Sequence, residues 1–167
     1  MNRDDVIAVL NKPLSLKLMK SEIPARLAYN GPDGFPRVIP MGFLWNGEAI
    51  VACSPPNAAK VKSLAANPKV ALTIDTNDFP PAALFIRGTT ALETVDGVPD
   101  EFIEASRPRV PVEAFAKWEA GVRALYDQMV IITITPTWAK LIDFETTLPS
   151  AVAELIEAKG FGSQPQN

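Results

Sequence analysis

The apolar positions of this chain fall into short strand-like runs, separated by turn residues and by a few stretches with helical spacing. Val6, Ile7 and Leu10 give Asp4 to Asn11 one apolar face, and Pro13 is expected to close that helix. A first strand is predicted from Ala25 to Asn30, followed by Asn30-Gly31-Pro32-Asp33-Gly34, which has hairpin-loop chemistry. The second strand, Pro36 to Asn46, is long and apolar on both faces for much of its length, so both faces should be covered. Pro40 and Gly42 inside it point to a bulge or a close backbone approach. Asn46-Gly47 is the strongest short hairpin signal, and Glu48 to Cys53 follows as the third strand.

A short helix, Asn57 to Ala66, precedes a strand from Val70 to Asp75. The loop TNDFPP leads into a long strand from Ala82 to Val95. Asp96 to Asp127 reads as helix in two pieces, broken at Pro108 or Pro111. Phe115, Trp118, Val122, Leu125 and Tyr126 form a stripe on the second piece, expected to pack on the sheet. Met129 to Thr135 and Trp138 to Phe144 are two further strands. Pro149 to Lys159 is a terminal helix closed by Gly160, and residues 161–167 are expected to be a disordered tail.

Six or seven strands with mainly short links, and no strict alternation of strand and helix, favour an antiparallel barrel with peripheral helices over a doubly wound sheet. The 167 residues fit one domain, expected to span 1–160, with no internal repeat.

Composition narrows the chemistry. A net charge of −3 without a long block of one sign argues against a nucleic-acid footprint. No window is long and apolar enough for a membrane-spanning helix, and the N-terminus has acids beside its arginine and too short an apolar run for a signal peptide. The expected location is cytoplasmic. Cys53 is the only cysteine, so no internal disulfide forms, and there is no histidine. That absence removes the usual zinc site, a Ser-His or Cys-His couple and a His-ligated haem. No metal site is expected, and if the protein is an enzyme its chemistry comes from a bound organic cofactor. The 16 prolines sit mainly at segment ends.

The short helix raises a specific question. With Asn57 as its cap, Lys60 lies in its first turn, where the helix dipole disfavours a cation by about 0.3–1 kcal/mol. An anion beside Lys60 reverses that balance, because free backbone N–H groups and an ammonium then converge on it. Ala58 and Ala59 leave room for a phosphate to approach the backbone, and Lys62 faces elsewhere. Arg37, at the start of the second strand, lies near the end of the hairpin where the third strand exits into this helix. It either joins Lys60 on one phosphate or is a surface arginine beside Asp33.

The ordered pattern Gly34-x-Pro36-Arg37-Val38-x-Pro40, Phe43-Leu44-Trp45-x-Gly47, Ser54-Pro55, then Lys60-Val61-x-x-Leu64-x-x-Asn67-Pro68-x-Val70-Ala71-Leu72 resembles the pyridoxamine 5′-phosphate oxidase-like, FMN-binding split-barrel superfamily. The resemblance covers Ala25 to Glu93 and, more loosely, the strands to Phe144. It implies a six-stranded antiparallel split β-barrel, a homodimer, and a flavin at each of two symmetric subunit interfaces. It places the cofactor phosphate near Arg37 and Lys60, the ring against Val38, Ile39, Pro40 and Met41, and the ribityl chain or phosphate near Cys53 and Ser54. The activity it implies is an FMN-dependent oxidoreductase acting on a small molecule, with NADH or NADPH as a candidate reductant. The same scaffold also admits a deazaflavin reductase or a non-catalytic flavin-binding sensor. The chain departs from the family where Ser-Arg commonly precedes the lysine, since Ala58 and Ala59 stand there, and the C-terminal Arg/His substrate motif is absent. Pyridoxamine phosphate is therefore not the expected substrate, and no catalytic residue is assigned.

Other residues keep two readings. Cys53 is a small buried residue or a thiol facing the cofactor. Trp45 and Trp138 pack in the core or interface, or stack on a ring. Arg87 faces solvent or a pocket, Arg107 and Arg109 lie in a solvated loop or meet an anionic substrate, and Tyr126 packs or donates a proton. Lys140 reaches the partner subunit's cofactor only by analogy with the family.

Overall fold

In the computed structural model, which describes residues 1–146 and 148–160, the predicted strands join into one antiparallel sheet of seven, ordered β2-β1-β5-β6-β7-β4-β3. β1 (Ala25–Asn30) and β2 (Pro36–Met41) pair without interruption from Ala25↔Met41 to Asn30↔Pro36. The Gly31 N–H donates to the Phe35 carbonyl at 2.9 Å, and Gly34 turns the chain with φ of 81°. The register therefore holds no bulge at Pro40. β2 is an edge strand, where a proline costs no ladder bond on its unpaired side.

The expected single strand Pro36 to Asn46 is two. β2 ends at Met41, and β3 (Leu44–Trp45) resumes after Gly42 and Phe43. β2 and β3 stand at opposite ends of the strand order, yet only Gly42 and Phe43 link them. Three peptide steps reach at most about 11 Å. The sheet must therefore curl until its two edges nearly meet, and the unpaired seam between them is the split. This is the split-barrel architecture the resemblance implies, with seven strands rather than six and without closure.

β3 and β4 (Ile50–Ser54) form the Asn46-Gly47 hairpin. Asn46 Oδ1 accepts from the N–H groups of Glu48 (3.0 Å) and Ala49 (2.8 Å), and Gly47 takes φ of 99°. β5 (Lys69–Asp75) and β6 (Ala82–Asp96) follow prediction. The two expected final strands are one, β7 (Gln128–Asp143). Pro136 does not break it because the register with β6 shifts there: Gly88 faces Pro136, Arg87 faces Trp138, and Thr137 is left over. This bulge absorbs the residue that cannot join the ladder. Leu27, Ile50, Leu72, Ile74, Leu84, Ile86, Ile132 and Ile134 fill the barrel interior.

Helices close the ends. α1 (Arg3–Leu10) is capped by Asn2, whose side chain accepts from the Asp5 N–H at 2.8 Å, and it buries Val6 and Leu10. α2 (Pro13–Met19) was not expected, since Pro13 reads as a terminator. Proline at the first helical position loses nothing, because that N–H has no intrahelical acceptor. α3 (Ala59–Ala66) is the short basic helix. Asn57 does not cap it. Pro55 to Ala58 forms a turn closed by the Ala58 N–H on the Pro55 carbonyl (3.1 Å), so Ala58 takes the cap position with no side-chain bond.

The region 96–127 is helical over a shorter span than expected: β6 runs to Asp96, Gly97 turns with φ of 71°, and α4 (Asp100–Ser106) and α5 (Val112–Leu125) follow. The break falls at residues 107–111. Phe115, Trp118, Val122 and Tyr126 pack with Phe102 on Val98, Ile103 and Met129, a small cluster separate from the barrel core. Leu125 leaves the predicted stripe and is 67% exposed. α6 (Ser150–Ala158) ends at Gly160 as expected, with φ of 69° there. Residues 161–167, read as a tail, lie outside the described residues.

Candidate functional site

The hairpin, the uncapped helix and the α4–α5 insertion meet around a cavity of about 340 Å³. The β-barrel contributes Pro40, Met41 and Gly42 from the end of β2, and Cys53 from β4. α3 contributes Lys60 from its first turn. The insertion contributes Phe102, Ala105, Ser106, Arg109, Val110 and Trp118, with Phe102 and Trp118 stacked at 5.9 Å between ring centroids. Among the described residues no carboxylate lines this cavity, which holds two cations.

Lys60 is half-buried and has no hydrogen bond or ion pair with any described residue. Burial holds its ammonium below the ordinary lysine value. Lys62 faces a second cavity, of about 580 Å³, on the other side of α3 against the β1–β2 turn, so the two lysines diverge as predicted. That second cavity is larger but has one cation and no aromatic wall.

Four of the eight residues singled out from the sequence line the first cavity: Pro40, Met41, Cys53 and Lys60. Arg37 does not. Its guanidinium bonds Asp33 at 2.6 Å across the β1–β2 turn and holds that carboxyl below its usual range. Val38 is 65% exposed, on the β2 face it shares with Pro36 and Pro40. Ile39 turns the other way and packs on the barrel core. Ser54 is buried, and its Oγ has no hydrogen-bond partner among the described residues.

Cys53 is half-buried beside the aromatic cluster. Burial, with a smaller push from the Glu101 carboxylate, raises its thiol to about 12. It is a neutral thiol at pH 7 and, since the thiolate is the nucleophile, iodoacetamide should label the folded protein at pH 7.5 far more slowly than the unfolded chain. Equal rates would contradict this environment.

The remaining candidates resolve mostly to structure. Arg87 is exposed and stacks on Trp138, 4.6 Å from the ring centroid. Arg107 pairs with Glu104 at 2.7 Å and covers Phe115. Tyr126 packs against Phe102. Arg109 is different: it leaves the loop and lines the cavity. Its partner in sequence is two residues away, so spacing alone does not separate the two arginines. The signal was the Arg-Pro-Arg break itself, where an irregular turn lets one side chain reach back.

A family profile described as pyridoxamine 5′-phosphate oxidase matches residues 16–142, and the chain belongs to this family. Among solved structures, an F420 reductase is 27% identical, with a TM-score of 0.58, over 74% of this chain and 94% of that one. The general stress protein 26 of Bacillus anthracis str. Sterne is 16% identical with a TM-score of 0.55, over 77% and 90%. The heme storage protein HutZ of Vibrio cholerae is 17% identical with a TM-score of 0.56, over 78% and 92%. The last two show the fold alone. A search of curated proteins finds no match. Among the described residues no helix is long and apolar enough to cross a membrane, and no group of three or more acidic or cysteine side chains is placed to hold a metal.

Proposed function

We propose that this chain is a flavin-type oxidoreductase that binds its cofactor by an anionic tail at Lys60, at a seam between two copies. The observation that carries this reading is a half-buried ammonium without a partner, in a cavity whose described lining holds no acid. A phosphate satisfies that lysine and the open N–H groups of the uncapped α3 together. Met41, Pro40, Phe102 and Trp118 offer an apolar wall for a ring. Arg37, half-buried on β2, reaches the same phosphate only by leaving Asp33. β2 presents an unpaired edge, and its exposed Val38 lies on the face that ends in the cavity at Pro40. A second copy covers that face in this reading.

When bound, a flavin supplies hydride transfer; the chain holds it, orients it and keeps water off its ring. FMN is the first reading, from the motif. A deazaflavin is the second, and the 27% identity to an F420 reductase favours it. With Ala58 and Ala59 before Lys60, the phosphate grip from α3 suits a singly charged phosphodiester as well as a dianionic phosphomonoester, so it admits either cofactor. The structural likeness to a heme storage protein carries no ligand over, and this chain has no histidine for an axial bond. Mass spectrometry of the small molecule that co-purifies with native protein, with its absorbance and its reduction by NADH or NADPH, tests the reading. A visible flavin band indicates FMN and a shorter-wavelength band a deazaflavin. Tight binding without reduction by any donor leaves a carrier or sensor. Protein that takes up neither cofactor ends the proposal.

A further inference from the structure

Four of the seven arginines neutralise their charge within the chain: Arg3 on Glu48, Arg37 on Asp33, Arg107 on Glu104, and Arg123 on Asp100 and Glu119. Arg109 does not, although it is more enclosed than any of these. Its Nη1 donates to the Ala105 carbonyl at 2.5 Å and its Nη2 to the Ile23 carbonyl at 3.2 Å. Its Nε is buried without a partner among the described residues. Its guanidinium also faces the Phe43 ring at 5.6 Å. Neutral carbonyls and a ring orient a cation but leave its charge uncompensated. The other uncompensated enclosed cation is Lys60, and both line one cavity. Burial depresses the pKa of each, and no carboxylate lines their cavity among the described residues. Glu101, the acid that acts on Cys53, does not line the cavity and pairs with neither cation.

We propose that Arg109 and Lys60 form one oxyanion site, with Lys60 presented by α3 and Arg109 by the α4–α5 connection, and that a phosphate or carboxylate group bridges them. Arg109, rather than Arg37, is then the second cation of the site. The oxyanion belongs either to the cofactor tail or to a separate anionic substrate; only that choice of source rests on the flavin reading above. The Nη2 bond of Arg109 to the Ile23 carbonyl also ties the insertion to the segment before β1, while its Nη1 bond to the Ala105 carbonyl stays within the insertion.

The probe is inorganic phosphate, titrated into the full chain while the melting temperature is followed, with sodium chloride at matched ionic strength as control. Wild type should show a saturable rise with phosphate and none with chloride. Arg109→Gln and Lys60→Gln should each weaken the apparent affinity at least tenfold, and Arg109→Lys should recover part of it. Should Arg109→Gln fail to fold, Ser106→Asp places a carboxylate in the same cavity and should abolish the phosphate response. A wild type indifferent to phosphate overturns the proposal. So does a folded Arg109→Gln, or a folded Ser106→Asp, that responds as wild type does. FMN and deazaflavin titrations then separate the sources. Weaker cofactor binding by Arg109→Gln assigns the oxyanion to the cofactor, and unchanged cofactor binding with lost phosphate response assigns it to a substrate. A wild type that binds phosphate at this site but neither cofactor sinks the flavin reading and leaves the oxyanion site standing.

Discussion

Lys60→Ala should lose about tenfold to a hundredfold in cofactor affinity while melting at or slightly above the wild-type temperature. A charge-assisted hydrogen bond contributes about 1.5–3 kcal/mol, and each 1.4 kcal/mol is tenfold in affinity. The folded apo protein gains nothing comparable from this side chain. Lys60 stands in the first turn of α3, on the unfavourable side of the helix dipole, with no partner among the described residues. Truncating it removes a desolvated charge and leaves no buried acceptor orphaned. The pH dependence has a definite sign. Burial lowers the folded-state pKa of Lys60 below its ordinary 10.5. The folded state therefore sheds this proton more readily than the unfolded chain. At neutral pH the charged Lys60 opposes folding, and that penalty is relieved as pH rises through the lowered pKa. Binding runs the other way, because the ammonium is what holds the anion. Wild-type affinity should fall as pH climbs through that lowered pKa, whereas the weak residual affinity of Lys60→Ala should not follow the same curve. Flavin fluorescence titrations across neutral and alkaline pH measure both. Equal affinity in the two proteins would remove Lys60 from the site.

Gly88→Ala should destabilise the barrel by about 1–3 kcal/mol, toward the upper end of what overpacking costs. A Cβ there would stand 2.5 Å from the Thr135 carbonyl oxygen and 3.0 Å from Ile134 Cγ2. The first of these is backbone, held in the β6–β7 ladder on both sides of the bulge, so it cannot step aside as a flexible side chain would. For a chain of this size 1 kcal/mol moves the melting temperature by about 2–4 °C. Gly121→Ala is the matched control. It lies inside α5 with nothing within 4 Å of an added Cβ, and should stabilise by about 0.5–1 kcal/mol. Thermal unfolding by circular dichroism compares the two. If Gly88→Ala melts with wild type, the Thr135 carbonyl does not stand within 2.5 Å of an added Cβ at the bulge.

These two residues show how differently the chain discloses its parts. Lys60 was conspicuous in one dimension, because a cation in a first helical turn is locally unfavourable and asks for a reason. Gly88 was silent: a glycine within an apolar strand says only that something comes near. Pro136 misled for a related reason. By local rules it ends a strand, but the register shift opposite Gly88 lets β7 run through it as one element. Pro13 misled in the opposite direction, since the rule that proline ends a helix holds equally for proline beginning one. Asn57 is an excellent cap by residue type, but the Pro55–Ala58 turn occupies it one position too early.

Strand periods and turn chemistry were determined by the amino-acid order alone, because each depends on neighbours within a few residues. So was the placement of a lysine at the head of a short helix. The curling of the sheet, its open seam and the seating of Arg37 on Asp33, outside the Lys60 cavity, were decided only by tertiary structure. The arrival of Arg109 opposite Lys60 belongs with them. Lys60 and Arg109 are separated by two long strands and a helix, and no local energy term links them. Only the packing of the α4–α5 insertion against the β2 end, and the desolvation that follows, makes two ordinary cations into one unsatisfied site.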